Sequence, residues 1–214
     1  MVIGRGALTA RYEIWELIEK MGYPFGYTVK GKGVMPDDHP QNYFQVGQHG
    51  KEATNEAMAN ADIVIIVGGN GDDRAFLHPE NFTSGKKAVI NPYVTNITAR
   101  LSIDYLIQAE AGYALKELLK LLDGQGQHER LKEWNMKIRQ RYDNEMVYNK
   151  KQDGLSPVDL MKTTDTYFNP DILVLDVGEH QMHSTKLVSL KLGYYNRNDV
   201  YGHTPPNLKF AYDK

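Results

Sequence analysis

The feature that most constrains the fold is an unbroken aliphatic run at Ile63–Val67, which ends directly in the glycine-rich turn Gly68-Gly69-Asn70-Gly71. A continuous run of branched aliphatic residues indicates a strand buried on both faces, as in parallel sheets that are covered by helices. In open sheets of this kind, ligands bind at the edge where the strands end. The run therefore predicts a parallel α/β domain and places one candidate site at its glycine-rich turn.

The segments on either side of this run alternate between strand and helix patterns. Apolar residues at helical spacing predict helices over residues 9–21, 51–61 and 111–122, and we expect Thr9 to cap the first helix and Gly22 to end it. Short apolar stretches predict strands over residues 24–29, 87–90 and 103–108, with a long loop over residues 31–40. This alternation predicts a doubly wound, Rossmann-like parallel sheet over residues 1–125.

The rest of the chain divides into three further parts. Residues 126–155 predict a linker helix, because their pattern is polar and charged with few apolar anchors. Residues 156–192 predict the start of a second α/β unit, in which a buried strand turns at Gly178-Glu179-His180 into a helix. The tail at 193–214 has no clear pattern. Because one strand and one helix cannot bury their own apolar faces, we expect self-association or poor solubility.

Composition excludes several classes of function. The formal net charge of −2 gives no basic surface for nucleic acid. No apolar run approaches the roughly 20 residues that a membrane-spanning helix needs. The chain has no cysteine, which excludes disulfides, thiolate metal sites and cysteine nucleophiles, and we expect a cytoplasmic protein. The apolar stub before Gly4 is shorter than an ordinary strand, so we also expect the sequence to begin inside an element.

Two motifs at predicted strand ends have the residues that phosphate binding requires. Gly4-Arg5-Gly6 joins a strand to a helix, where glycines let the backbone approach a phosphate and the helix N-terminus offers free N–H groups. A dinucleotide fingerprint would need a glycine at Thr9 and an acid after the second strand, and both are missing, so a tight turn explains this motif at least equally well. Asp72-Asp73-Arg74 is interpreted either as a ribose or phosphate contact or as a solvated loop with a local salt bridge.

Histidine occurs in two further turns. In Gly47-Gln48-His49-Gly50 the glycines would let the backbone pass close to a flat ligand, and the alternative is a turn that opens a helix and exposes the histidine. In Gly178-Glu179-His180-Gln181 the histidine and the amide could donate hydrogen bonds to a diphosphate. His180 and His183 share one helix face, but no third ligand lies nearby in the sequence, so we predict no metal site.

The order of these motifs is more specific than any one of them. It runs from Gly4-Arg5-Gly6-Ala7 through Gly31-Lys32-Gly33, Pro36-Asp37-Asp38-His39-Pro40 and Gly47-Gln48-His49-Gly50 to the strand at 61–68 and Asp72-Asp73-Arg74. This order resembles the central domain of acetolactate synthase and related thiamine-diphosphate-dependent enzymes. The later stretch at 176–182 is similar to the first strand and turn of that family's diphosphate-binding domain.

The resemblance implies a Rossmann-like fold with a site that binds FAD in acetolactate synthases and ADP or nothing in other members. The residues that it places along this site are Arg5, Gly6, Thr28, His49, Gly50, Gly68, Gly69, Asp72, Asp73 and Arg74. It places Glu179 and His180 against thiamine diphosphate, which the family holds together with Mg²⁺.

The sequence departs from the family's pattern at both cofactor sites. Val89-Ile90-Asn91-Pro92-Tyr93 stands where the family carries an acidic run that holds the adenosine end, and Glu179 stands in place of a glutamine. The family's Gly-Asp-Gly metal motif has no counterpart, because the Asp-Gly pairs at 123–124 and 153–154 follow no buried strand of a cofactor domain. The activating glutamate of the family's first domain is also missing, so we assign no catalytic and no metal-binding residue.

These features leave three hypotheses. The first is an incomplete or split part of a 2-oxo-acid carboligase or decarboxylase, inactive alone, that works as a homo-oligomer or with a complementary chain carrying the missing domains. The second is a stand-alone nucleotide- or flavin-binding module without catalysis. The third is a folded gene product that retains no ligand.

Overall fold

The computed structural model describes residues 1–48, 50–70, 75–76, 85–93, 101–145, 159–160, 163 and 166–167 of the 214-residue chain. Within these ranges the strands are β1 (Val2–Ile3), β2 (Phe25–Tyr27), β3 (Asn42–Gln45), β4 (Ile63–Val67), β5 (Lys86–Ile90) and β6 (Tyr105–Ile107). The helices are α1 (Arg11–Met21), α2 (Glu52–Ala59), α3 (Ala111–Leu121) and α4 (Glu129–Glu145). The predicted second unit and tail lie almost wholly outside the described residues.

The six strands form one parallel sheet in the order β3-β2-β1-β4-β5-β6. The order reverses between β1 and β4, and this reversal opens a crevice at the ends of the strands where ligands bind in open α/β sheets. The prediction of a doubly wound, Rossmann-like sheet is confirmed.

The β4–β5 pair runs in continuous register, from Ile63 against Lys86 to Val67 against Ile90. The prediction that β4 is buried on both faces is correct for its second half, where Ile66 and Val67 are at most 1% exposed. Ile63, at the start of the strand, is 48% exposed. The aliphatic run therefore places the best-packed part of the sheet directly beneath the glycine-rich turn.

Helices cover both faces of the sheet. On one face α1 and α3 pack their apolar residues against β1, β2, β4 and β5, and the fully buried members are Ile14, Leu17, Ile18 and Leu115. On the other face Met58 of α2 packs with Ala75, Phe76 and Leu101 against Val64 and Ile66. The two cores anchor the sheet from both sides, so the positions of the strand ends are set by apolar packing.

The first helix begins differently from its prediction and ends as predicted. Thr9 lies inside a 3₁₀ segment that precedes α1, and Ala10 stands at the N-cap without a side-chain bond, so the prediction of a threonine cap is wrong. The turn after β1 continues as 3₁₀ backbone, which delays the start of the α-helix. Gly22 does end α1, with a left-handed φ of 70° and an N–H that donates to the Ile18 carbonyl at 2.7 Å.

β3 was not predicted from the sequence, because its two aromatic residues stand side by side between Asn42 and Gln45 and do not alternate with polar ones. Asn42 is buried and donates to the Pro36 carbonyl at 3.0 Å, while its side-chain oxygen accepts from the Phe44 amide at 2.8 Å. Gln45, at the end of the strand, is also buried. A strand whose polar side chains are satisfied by the preceding loop carries no alternating hydrophobic pattern to detect.

Helix α4 packs along β3 and α2 in spite of its polar sequence. Ile138 and Tyr142 are buried, and Arg139 donates to the Pro40 and Asn42 carbonyls beside the edge strand. The Arg139 guanidinium also lies 4.7 Å from the ring centroid of Tyr43. Its role as a linker to a second unit stays a prediction. Of the helices in the described ranges, none has the length and apolar character to cross a bilayer.

Candidate functional site

The turns after β1 and β4 interlock at the carboxyl edge of the sheet. The Gly4 amide donates to the Val67 carbonyl at 2.8 Å, and the Gly6 amide donates to the Gly68 carbonyl at 2.9 Å. The Gly68 amide in turn donates to the Ile90 carbonyl of β5 at 2.9 Å. Hydrogen bonds between backbone groups therefore hold three neighbouring strand ends together.

Glycine is required in these turns because the two backbones touch. A Cβ on Gly4 would stand 2.5 Å from the Gly68 oxygen, and a Cβ on Gly68 would collide with the amide nitrogen of Ala7. Gly68 also has a φ of +62°, which side-chain-bearing residues rarely adopt. Thus the tight-turn interpretation accounts for Gly4 and Gly68, and the same packing leaves a bare backbone surface at this edge.

Asn91 fixes the turn after β4 from the side of β5. Its side-chain amide donates to the Gly69 carbonyl at 2.9 Å, and its side-chain oxygen accepts from the Tyr93 amide at 2.8 Å. The side chain is buried, so both of its polar ends are satisfied by backbone. The asparagine that departs from the family's acidic pattern therefore holds the glycine turn in place and has no free carboxylate to offer to a ribose.

The loop after β2 closes on the same place. The Thr28 amide donates to the Ile3 carbonyl at 2.9 Å, and the Gly31 amide donates to the Thr28 carbonyl at 2.8 Å. A Cβ on Gly31 would stand 3.1 Å from the Gly4 Cα and would collide with the Ile3 oxygen. The structure thus brings Thr28 beside the Gly4 turn.

The turn between β3 and α2 is held by a side-chain clamp. The Asn55 side chain accepts from the Gly47 amide at 2.8 Å and donates to the Gly47 carbonyl at 2.9 Å. The Gly50 amide donates to the Gly47 carbonyl at 2.9 Å, and Gly47 has a φ of +94°. Asn55 was not predicted from the sequence, although an asparagine one helical turn inside α2 is a signal for a partner of the glycine turn.

The predicted site residues fall into two groups. Those that the structure describes lie at the carboxyl ends of the four adjacent strands β3, β2, β1 and β4; they are Arg5, Gly6, Thr28, Gly50, Gly68 and Gly69. The others lie outside the described residues; they are His49, Asp72, Asp73, Arg74, Glu179 and His180. Motifs separated by up to 64 positions, from Arg5 to Gly69, thus meet at one edge.

Arg5 supplies positive charge at this edge. Its side chain is exposed at the start of the 3₁₀ segment, and within the described ranges it forms no ion pair. A guanidinium beside bare backbone is a favourable contact for a phosphate, since it offers several donors in a fixed fork. The arrangement fits the diphosphate of a nucleotide, while Asn91 offers no acid to its ribose.

A buried ion pair supports the loop between β2 and β3, and the sequence analysis missed it. Lys32 Nζ lies 2.7 Å from Asp37 Oδ2 and 3.1 Å from the Tyr27 hydroxyl, and the Lys32 and Asp37 side chains have no solvent exposure. Charged residues in a glycine- and proline-rich loop are usually solvated, so their spacing alone gives no sign of burial. The pair ties the loop that contains Gly31 to β2.

His39 is buried in the same loop. Its Nε2 lies 3.1 Å from Glu19 Oε1 and its Nδ1 accepts from the Gln41 amide at 3.1 Å, which requires a proton on Nε2 alone. Burial lowers the pKa of His39, and the neighbouring Glu19 carboxylate partly opposes that shift. The ring packs edge-on against Trp15 and Phe25. His39 is therefore a neutral packing residue of the loop.

Metal-binding groups are not gathered in the part of the chain that the structure describes. No group of three or more His, Cys, Asp or Glu side chains there could hold a metal ion. The His180 and His183 pair lies outside those residues.

Comparison with known proteins identifies the domain. A family model described as "Thiamine pyrophosphate enzyme, central domain" matches residues 1–118. The chain belongs to this family. The match covers all six strands and ends inside α3. The interlocked turns, the Asn91 clamp and the Lys32–Asp37 pair are therefore features of a thiamine pyrophosphate enzyme central domain.

Relatives of this central domain include acetolactate synthase large subunits. Acetolactate synthase isozyme 3 large subunit of Escherichia coli (strain K12) is 29% identical over 190 residues, which cover 84% of this chain and 33% of that protein. Acetolactate synthase large subunit of Buchnera aphidicola subsp. Schlechtendalia chinensis is 26% identical over 198 residues, covering 88% and 34%. The chain thus spans about one third of the length of these relatives.

Proposed function

We propose that this chain contributes the central domain and the start of the cofactor domain to a thiamine-diphosphate-dependent 2-oxo-acid carboligase or decarboxylase. The observation that carries the proposal is the family match over residues 1–118 together with a glycine-lined edge that four strand ends share. The relatives align over 190 residues or more, which extends past the central domain and supports a second unit. We expect residues 1–214 by themselves to be inactive, because no Gly-Asp-Gly metal motif occurs among them.

The course of α4 supports a cofactor site shared with the second unit. The helix begins near the amino ends of the strands, where Arg130 lies 3.5 Å from Asp62 just before β4. It runs past Asn42 to Tyr142, whose ring stacks on Phe44 at 5.6 Å near the end of β3. The helix therefore returns the chain to the carboxyl edge, beside the turn that contains Gly50.

The roles of the proposed site residues follow from their chemistry. At the central edge, Arg5 donates to the diphosphate of FAD or ADP. Gly6, Gly68 and Gly69 let the nucleotide approach the backbone closely, since the Gly6 and Gly68 amides are themselves bonded to the Gly68 and Ile90 carbonyls. Glu179 and His180 of the second unit contact thiamine diphosphate, with Mg²⁺ and the remaining contacts supplied by another chain. Thiamine diphosphate, when bound, supplies the carbanion chemistry for bond cleavage and formation beside a 2-oxo-acid carbonyl.

A thermal shift experiment tests the nucleotide site. We expect FAD or ADP at saturation to raise the melting temperature by a few degrees, because a ligand that binds only the folded state stabilises it. Arg5→Gln should weaken binding roughly tenfold by removing a charged donor. Lys20→Gln, at the far end of α1, is the matched control and should leave binding unchanged. No shift with either ligand would reject a nucleotide site at this edge.

A complementation experiment tests the role in catalysis. The chain is mixed with a second chain that carries the activating-glutamate domain and the metal motif, together with pyruvate, thiamine diphosphate and Mg²⁺. We expect pyruvate consumption only in the mixture. A mixture that never consumes pyruvate would reject the split-enzyme proposal, and a nucleotide-dependent thermal shift in that case would favour the stand-alone binding module.

Assembly with another chain is part of the proposal. β6 is an edge strand whose three residues are all exposed, with Tyr105 54% exposed, and this apolar edge would be covered by a second copy or by the complementary chain. Neither nucleic acid nor a membrane is a proposed partner, and the proposed location is the cytoplasm.

A further inference from the structure

A cavity of about 660 Å³ lies at the opposite end of the sheet from the glycine turns. It is bounded by the amino ends of β1, β2 and β4, by the last turn of α2 and by the first half of α4. Its volume is within the range of small-molecule sites in proteins. Most of the lining lies at the amino ends of the strands, while Val46 and Thr54 extend one side of the cavity along β3 towards the turn that contains Gly50.

The lining of this cavity is mainly apolar and includes several aromatic rings. Tyr23, Phe25 and Tyr43 line the side nearest to β2 and β3, and Trp134 lines the side formed by α4. The last turn of α2 contributes the small side chain of Ala57, which leaves room for a ring. Flat apolar walls of this kind favour an aromatic ligand, which buries apolar area and offers its faces and edges to the lining rings.

The charges around the cavity offset each other. Arg130 lies 3.5 Å from Asp62, so one cation and one carboxylate are paired. Glu133 and Lys137 lie one helical turn apart on α4 and add one charge of each sign. The Met1 amino group also lines the cavity; it donates to the Pro24 carbonyl at 2.7 Å, and burial lowers its pKa to about 5, so it carries no charge at neutral pH. A rim without net charge gives a charged ligand no compensation for its lost hydration, and it therefore favours an uncharged ligand.

Two hydrogen-bond donors of the lining lack a partner in the described part of the chain. They are the Tyr23 hydroxyl and the Trp134 indole N–H. The Tyr43 hydroxyl differs, because it donates to the Asn135 carbonyl at 3.0 Å. A ligand that presents an acceptor oxygen would give one of these donors a hydrogen-bond partner.

We propose that this cavity binds an uncharged aromatic carbonyl compound, with the ring against Trp134 and the carbonyl oxygen accepting from Tyr23. The proposal rests neither on the nucleotide edge nor on thiamine diphosphate.

The probe is prodan, an uncharged naphthalene ketone whose emission shifts to the blue in apolar surroundings. With the full chain we expect a saturable blue shift that 2-acetylnaphthalene reverses by competition. 2-Naphthoate, which has the same ring with a carboxylate, should compete at least tenfold more weakly, because its charge must be desolvated. Equal competition by the carboxylate would overturn the assigned ligand class, and the absence of a saturable signal would overturn the site.

Substitutions locate the bound probe. Ala57→Leu fills the cavity and should weaken prodan binding at least tenfold, whereas Ala59→Leu, on the same helix outside the cavity, should not change it. Tyr23→Phe keeps the ring and removes only the hydroxyl, so it should weaken 2-acetylnaphthalene roughly fivefold and leave 2-ethylnaphthalene unchanged. The proposal is wrong if prodan binds equally to the Ala57→Leu and Ala59→Leu chains while both retain the melting profile of the unsubstituted chain. It is also wrong if Tyr23→Phe changes the binding of both naphthalenes alike.

Discussion

The two edge strands of the described sheet, β3 and β6, differ in how far other residues cover them. β3 has two polar and two aromatic residues and is covered by its own chain, since Arg139 binds the carbonyls beside it and Tyr142 packs against Tyr43 and Phe44. β6 at the other edge has the apolar residues Tyr105–Ile107, each more than 40% exposed. An uncovered apolar edge is a site for pairing, whereas a covered one is not.

This difference shows where the chain is self-sufficient and where it depends on other chains. At the β3 edge, hydrogen bonds, stacked rings and a buried ion pair are all supplied within residues 27–142. At the β6 edge, β5 is the one neighbouring strand in the described sheet. We therefore expect substitutions near β3 to change the stability of the fold, and substitutions on β6 to change association.

The largest effect is expected at the buried pair beneath the β3 edge. Lys32→Met leaves Asp37 as a buried charge without its lysine, which should lower the free energy of unfolding by about 3–5 kcal/mol. Urea unfolding measures this change. The neighbouring Lys30 is exposed, so Lys30→Met should change the free energy by less than about 0.5 kcal/mol.

A double substitution distinguishes the charge from the packing of the loop. If the loss in Lys32→Met comes from the uncompensated carboxylate, Lys32→Met combined with Asp37→Leu should recover a large part of it. A double variant that is no more stable than Lys32→Met would show instead that the loop needs the hydrogen bonds of the pair, including the one to Tyr27.

The next largest effect is expected where α4 covers β3. Tyr142→Ala removes a buried ring that stacks on Phe44, and it should lower the free energy of unfolding by about 3 kcal/mol. Tyr113→Ala, which removes a 66%-exposed tyrosine of α3, is the control and should cost less than about 0.5 kcal/mol. Equal losses in the two variants would mean that α4 does not stabilise the edge.

The same comparison explains what the sequence could predict. Apolar runs determine the centre of the sheet, so β4, β5 and the helices that cover them were predicted from periodicity, as was the glycine end of α1. β3 was missed, because Asn42 is satisfied by Pro36 in a loop that no local pattern describes. α4 was interpreted as a linker helix, because the residues that dock it, among them Ile138, Arg139 and Tyr142, are scattered through a polar sequence.

The candidate site divides in a similar way. The glycines were predicted from strand-end motifs, since two backbones can approach closely only where glycine stands, and glycine is visible in the sequence. The side chains that hold those turns, Asn55 and Asn91, were not predicted. Each forms hydrogen bonds to the backbone of a glycine turn that lies several positions earlier in the sequence. Asn91 was noticed only as a departure from an acidic pattern, and its role as a clamp needed the geometry.

A smaller effect is expected from His39, in the loop that leads into β3. Its folded-state pKa is lowered by burial below the ordinary value of 6.5, so the unfolded chain takes up a proton first as the pH falls. The contribution to stability is complete above about pH 6.5 and is lost as the pH falls towards the folded-state pKa. The charged groups that face His39 are Glu19, Asp38 and Arg139, and the Glu19 carboxylate reduces the effect.

Unfolding free energies measured between pH 5 and 7.5 test this sign. The loss on acidification should be smaller in His39→Gln than in the unsubstituted chain, and unchanged in His128→Gln, which removes an exposed histidine. A His39→Gln chain that loses as much stability as the unsubstituted chain would assign the pH dependence to other groups.

The smallest effect on stability, and the sharpest contrast between the edges, is expected on β6. Leu106→Lys replaces a 44%-exposed residue and should change the free energy of unfolding by less than about 0.5 kcal/mol. If a second copy of the chain covers β6, the same substitution should reduce self-association in light scattering, because a lysine opposes edge pairing. Leu121→Lys, at a 78%-exposed position of α3, is the matched control and should leave association unchanged. Equal association of all three chains would place the interface elsewhere than on β6.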